Sequence, residues 1–135
     1  MIGLLIITHS QLAKELLNAA GLILGAIEGA EHISIDISKD SKRLRDAIEK
    51  KIESLDQGKG VLILTDMFGG TPSNLALSFL QHGTIEVVTG VNLPMVIAVA
   101  RNREEPSLAE IADIAKNAGL RSISLASELL KPKEQ

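Results

Sequence analysis

Residues 60–74 read GVLILTDMFGGTPSN. Gly60–Leu64 is a short, unbroken apolar run, the pattern of a strand buried on both faces. Asp66 follows it almost at once, then a glycine pair. Thr71-Pro72 has the form of a helix start, with threonine at the N-cap and proline in its favoured first position. A buried strand, a polar turn and a helix in succession make up the repeating unit of a parallel α/β sheet.

The same design recurs on either side. Ile2–Thr8 is a second apolar run, ending at His9. Ser10 is placed to cap a helix over Gln11–Gly25, whose apolar face is read as Leu12, Leu16, Ala19, Ala20 and Ile23. His32–Ile37 alternates, with Ile33, Ile35 and Ile37 on one side, as in a strand nearer the sheet edge. Ser41–Leu55 carries an apolar stripe of Leu44, Ile48, Ile52 and Leu55 and a charged opposite face. Beyond the opening segment, the Thr71 helix is expected to reach about Gln81. Thr84–Val88 is a fourth strand, and Asn92-Leu93-Pro94 opens a helix to about Asn102. Ser107 and Glu110 form a capping box for a further helix, with Gly119 as its glycine stop. Ser122–Leu125 reads as a short fifth strand.

Strands alternating with helices predict a three-layer, doubly wound, mostly parallel α/β sheet of flavodoxin-like type. The expected order is 2-1-3-4 plus the short C-terminal strand, with right-handed crossovers. Residues 1–125 form one domain and 126–135 a polar tail.

Composition narrows the function. The chain has 135 residues, no cysteine, and 14 Lys+Arg against 17 Asp+Glu, a net charge of −3. Disulfides, thiolate metal sites and a cysteine nucleophile are excluded. With no basic excess and only Phe68 and Phe79 as aromatics, nucleic-acid binding is not expected. The longest apolar stretch, Leu16–Ile27, is interrupted by Asn18 and too short for a bilayer, which needs about 20 apolar residues. The N-terminus lacks the basic start of a signal peptide, so a cytoplasmic protein is expected.

Sites in such sheets form outside the carboxyl ends of the strands, at the switch point between strands 1 and 3. His9 follows strand 1 and Asp66 follows strand 3, so the two can meet. Gly69, Gly70, Thr71, Ser73 and Asn92 lie on the same edge. His32 and His82 fall on the opposite edge and are set aside. Between Gly60 and Ala100 the only charged residues are Asp66 and Glu86. An acid in so apolar a stretch requires a partner: His9, or the backbone amides of its own turn. A carboxylate on one imidazole nitrogen fixes the tautomer and leaves the other nitrogen free. Such a histidine can serve as base, ligand or nucleophile. A base would need a serine such as Ser10 or Ser73, and a metal would need further ligands that are not evident. A nucleophile needs an electrophile and a place for transferred charge. Gly69-Gly70 and the helix start from Thr71 to Ser73 offer that place, as an anion site of backbone amides. No nucleotide-binding glycine motif is present, so a phosphoryl group would arrive on another molecule, with no cofactor.

Three segments together, IGLLIITHSQLAKELL, ILTDMFGGTPSN and TGVNLPM, resemble the mannose-type enzyme IIA domains of the bacterial phosphoenolpyruvate-dependent sugar phosphotransferase system. The resemblance spans Met1 to about Leu125. It implies that His9 accepts a phosphoryl group on Nε2 from the phosphohistidine of HPr, and that Asp66 hydrogen-bonds His9 Nδ1. It also implies that Gly69, Gly70 and Thr71 face the phosphoryl group, which passes to a IIB protein or domain for sugar uptake or regulation. It further implies a homodimer that exchanges a C-terminal strand, here Ser122–Leu125, and work alongside a IIC/IID permease without membrane insertion of this chain. Members often carry glycine after the histidine, where this chain has Ser10. The competing readings are a phosphotransferase subunit of a dihydroxyacetone-kinase-type system and a non-catalytic anion-binding module. A receiver domain lacks support because His9 stands where an acidic pair belongs, and a flavodoxin because Tyr and Trp are absent.

Overall fold

The computed structural model describes residues 1–132. Four strands, β1 (Gly3–His9), β2 (Ala30–Ile35), β3 (Val61–Thr65) and β4 (Ile85–Thr89), form one parallel sheet in the order β2-β1-β3-β4. The helices are α1 (Leu12–Leu24), α2 (Ser41–Leu55), α3 (Thr71–Leu77), α4 (Leu93–Arg101), α5 (Leu108–Arg121) and α6 (Ala126–Leu129).

Alternation along the two central strands divides the core in two. Leu4, Ile6, Leu62 and Leu64 face α1, α4 and α5. Leu5, Ile7, Val61 and Ile63 face α2 and α3. Every one of these eight side chains is fully buried, which explains why both strands read as unbroken apolar runs. The stripe Leu44, Ile48, Ile52 and Leu55 of α2 is buried as expected.

The doubly wound fold and its 2-1-3-4 order match the expectation, and several details differ. Ser122–Leu125 is not a strand among the described residues: Ser122 caps α5, residues 123–125 pair with nothing in this chain, and α6 follows. A β-prone segment becomes a strand only where a neighbour offers a ladder. The supposed tail thus holds a helical turn, and its last three residues, 133–135, lie outside the described residues.

Gly119 does not stop α5, which runs on to Arg121. It lies buried within the helix where a side chain would come 2.7 Å from Met95 Cε, so its role is close packing of α5 on α4. On α1 the buried side is Ala13 and Ala20 with Leu16 and Leu17 packed beside them, while Leu12 and Ile23 are exposed. That helix is apolar on most sides, so periodicity alone misplaced the stripe by one residue. β2 begins two residues earlier than read and ends at Ile35, leaving Ile37 exposed in the following loop. α3 ends at Leu77, short of Gln81, and its N-cap is Gly70, with Thr71 the first helical residue.

Candidate active site

His9 is the last residue of β1 and Asp66 the first after β3. These strands are neighbours, in register from Gly3 opposite Val61 to Ile7 opposite Thr65. The chain leaves β1 toward β2 and β3 toward β4, in opposite directions, so a crevice opens between their carboxyl ends. Both residues sit in it.

One oxygen of Asp66, Oδ2, accepts two hydrogen bonds from His9: from the backbone amide at 2.9 Å and from ring Nδ1 at 2.8 Å. Oδ1 accepts from the Met67 amide at 3.0 Å. Burial disfavours the charged carboxylate, but the hydrogen bonds and charge interaction from His9 outweigh it, and its pKa lies below the ordinary aspartate value. The Asp66 side chain is only 12% exposed against 43% for His9. The acid is thus an enclosed anion and the imidazole faces outward. An ionised carboxylate can only accept, so Nδ1 carries the hydrogen and Nε2 presents a lone pair. The two expected uses of Asp66, binding His9 and capping its own turn, are both realised.

Gly70 bears on the other side of the ring. A side chain there would stand 3.3 Å from His9 Cε1 and 3.5 Å from Nε2, and its φ is +89°. Glycine both permits the backbone conformation and leaves Nε2 open. Thr71 is half-buried at the start of α3. Ser73 departs from its expected part: its side chain is buried and its hydroxyl donates to the Gly70 carbonyl at 3.3 Å, so it holds the turn. Asn92 is likewise occupied. Its Oδ1 accepts from the Met95 amide and its Nδ2 donates to Gly119 O and Ser122 Oγ, tying α4 to α5. His32 lies within β2 opposite Ile6, and His82 lies in the turn before β4, both away from this edge.

Sequence reading missed Thr8. Its buried hydroxyl accepts from the Ala13 amide at 2.7 Å and donates to the His9 carbonyl at 3.1 Å, fixing the turn that carries His9. Only its place beside His9 hints at this. Four apolar side chains stand exposed on the same edge: Leu12 at the start of α1, Ile37 after β2, and Met67 and Phe68 after β3, with Phe68 76% exposed. Among the described residues no group of three or more His, Asp or Glu is placed to hold a metal ion.

A family model described as the PTS system fructose IIA component, EIIA-man, matches residues 3–116. The chain belongs to the EIIA-man family. It is 33% identical over 122 residues to the mannose-specific EIIAB component of Escherichia coli, covering 87% of this chain and 37% of that protein. It therefore spans little more than a third of that relative's length. It is 27% identical over 132 residues to the fructose-specific EIIA component of Bacillus subtilis, covering 97% of this chain and 90% of the relative. Among solved structures, a phosphotransferase system EIIA component from Streptococcus agalactiae superposes with a TM-score of 0.85 at 25% identity, covering 95% and 99% of the two chains. A PTS IIA protein associated with a fucose utilization operon in Streptococcus pneumoniae gives 0.83 at 25% identity, covering 96% of each. The family is that of phosphotransferase system IIA components, and its members work in phosphoryl transfer. No helix among the described residues is long and apolar enough to cross a membrane.

Proposed function

We propose that this EIIA-man protein is a cytoplasmic phosphoryl carrier in which His9 takes a phosphoryl group from the phosphohistidine of HPr and passes it to a IIB protein or domain. The observation that carries the reading is the His9–Asp66 pair, with Nδ1 held by the carboxylate and Nε2 open beside Gly70. The Nε2 lone pair attacks phosphorus. The P–N bond to the donor breaks, and its electron pair remains on the donor nitrogen. His9 keeps its Nδ1 proton, so the ring becomes a phospho-imidazolium whose positive charge faces the Asp66 carboxylate. No separate base is needed. Backbone amides of Gly70 and Thr71, at the positive end of α3, are suited to receive phosphoryl oxygens, with Gly69 shaping the turn. The Ser73 hydroxyl holds the turn through the Gly70 carbonyl and does not meet the phosphoryl group.

A protein partner on each side of the transfer fits the exposed Phe68, Met67, Ile37 and Leu12, because apolar and aromatic anchors are what protein interfaces use. The same reading includes a homodimer. Among the described residues, 123–125 pair with no strand, Ile123, Leu125, Leu129 and Leu130 are exposed, and β4 is the last strand on its side of the sheet. The deciding experiment incubates the protein with phosphoenolpyruvate, enzyme I and HPr. An acid-labile phosphoryl group mapped to His9 by mass spectrometry is expected. Its absence, or its appearance on His32 or His82, overturns the proposal.

A further inference from the structure

Ser10 follows His9 and has φ +51°, and every other left-handed residue in the described chain is glycine. A side chain in this region costs on the order of 1 kcal/mol relative to glycine. No internal hydrogen bond of the Ser10 hydroxyl offsets that cost: its amide donates to Ile35 O at 3.3 Å, while the side chain is exposed and its hydroxyl has no partner within the described chain. Strain persists where the surroundings impose it, and it clusters at functional sites.

The consequence of the strain is geometric. β1 ends at His9, and Ser10 is the first residue of the turn that follows. His9 and Ser10 line one cleft of about 500 Å³ at the carboxyl ends of β1 and β2, together with Gln11, Ser34, Asp36 and Lys39. A free hydroxyl thus stands on the β2 side of His9, in a cleft that the imidazole also lines, and adjacent to it in the chain.

We propose that Ser10 is a positioning residue whose hydroxyl donates a hydrogen bond to an oxygen of the phosphoryl group carried on His9. The inference rests on the phosphoryl-carrier reading above. In the step already written, with the phosphorus leaving the donor nitrogen for His9 Nε2, the phosphoryl oxygens keep their negative charge and Ser10 keeps its covalent hydrogen. The hydroxyl therefore stabilises the phosphorylated form of this protein over the free form. Glycine at this position would relax the backbone and lose that preference.

The test is the equilibrium constant for phosphoryl exchange between phospho-HPr and this protein, measured for wild type, Ser10→Gly and Ser10→Ala. Both variants are expected to lower the constant about tenfold, the effect of one hydrogen bond to a charged oxygen. Ser10→Gly should keep or raise the thermal midpoint, and binding of unphosphorylated HPr should be unchanged in both. A wild-type constant in Ser10→Gly, or a loss in Ser10→Gly that Ser10→Ala does not share, overturns the role of the hydroxyl and leaves the carrier reading standing. Failure of the wild-type protein to take a phosphoryl group from phospho-HPr overturns both.

Discussion

Asp66 Oδ2 grips His9 at two points, the backbone amide and ring Nδ1, at 2.9 and 2.8 Å. Binding the backbone and the ring with one oxygen fixes the imidazole relative to the strand that carries it. The ring cannot flip without losing a charge-assisted hydrogen bond, so Nε2 is held toward Gly70.

Asp66→Asn keeps the shape and removes the charge. Phosphoryl transfer to His9 should slow by about 10²–10⁴-fold, the range for orienting groups in acid–base and nucleophilic sites. Stopped-flow or quenched-flow transfer from phospho-HPr measures it, and a rate within threefold of wild type would contradict the assigned role. The same variant tests linkage. The folded pKa of Asp66 is depressed, so its stabilisation is fully present above the unfolded carboxylate value of about 4 and is lost as the pH falls through the lower folded value. Wild type should therefore lose more stability than Asp66→Asn on acidification below about pH 4, as denaturant titrations at stepped pH would record.

His9→Ala should abolish phosphorylation and alter stability by no more than about 1 kcal/mol, because the side chain is largely exposed and truncating such residues costs little. The Asp66 carboxylate keeps the His9 backbone amide as a partner. Circular dichroism and urea titration check the fold, and label incorporation checks the chemistry.

The crevice was legible because its logic is topological. A histidine after one apolar run and an aspartate after another meet if the runs are adjacent, and β1 and β3 are. What escaped the sequence depends on three-dimensional surroundings. Gly119 looks like a helix stop, yet it lies inside α5 with the Met95 methyl packed close against it. Ser73 looks like a phosphate ligand by position, but the helix phase turns its hydroxyl inward. Ser122–Leu125 has strand composition, and among the described residues no strand pairs with it. Ser10 reads as an N-cap; its left-handed backbone has no signature in residue type.

Gly70→Ala combines two penalties. An alanine at φ +89° is strained by roughly 1–2 kcal/mol, and its methyl would stand 3.5 Å from His9 Nε2. The fold should survive with that loss of stability, and transfer to His9 should fall about 10–100-fold, as a methyl in the path of the incoming group displaces it. A parallel Gly69→Ala variant, with open space around its added methyl, should lose stability through strain but retain more of the activity. Equal activity losses in the two would count against the closeness of Gly70 to the reacting nitrogen.

Arg103, 4% exposed, works at the opposite end of the sheet. Its guanidinium donates to the carbonyls of Ile2, Glu28 and Gly29, pinning the loop before α5 to the starts of β1 and β2. Burial lowers its pKa from the ordinary arginine value. Arg103→Ala should cost about 2–4 kcal/mol, since three carbonyls lose a charged donor and a buried stem is removed. Phosphorylation of His9 at a temperature where the variant is folded should match wild type. A selective loss of transfer in folded Arg103→Ala would show the two edges to be coupled.

Association should depend on the segment after Ser122. Everything from Arg121 through Pro132 is exposed in the single chain, including Ile123, Leu125, Leu129 and Leu130. Residues 123–132 therefore contribute nothing to either core, and in a chain cut after Ser122 that serine remains to bond Asn92 and Gly119. β4 ends the sheet with no further strand beside it, its outer backbone met by a bridge from Gln81 to Ile85 and by the Glu86 carboxylate on the Val87 amide, and an apolar hollow of about 280 Å³ beside it is lined by Val88, Met95, Leu120 and Ile123. An open edge next to an apolar hollow favours an added strand from a second copy, because the ladder is completed and apolar surface is covered together. The intact protein should run as a dimer of about twice 14.4 kDa in light scattering at micromolar concentration. The chain truncated after Ser122 should be a folded monomer with wild-type circular dichroism. A truncated chain that still dimerises would place the interface elsewhere, and an intact chain that is monomeric at those concentrations would refute the exchange.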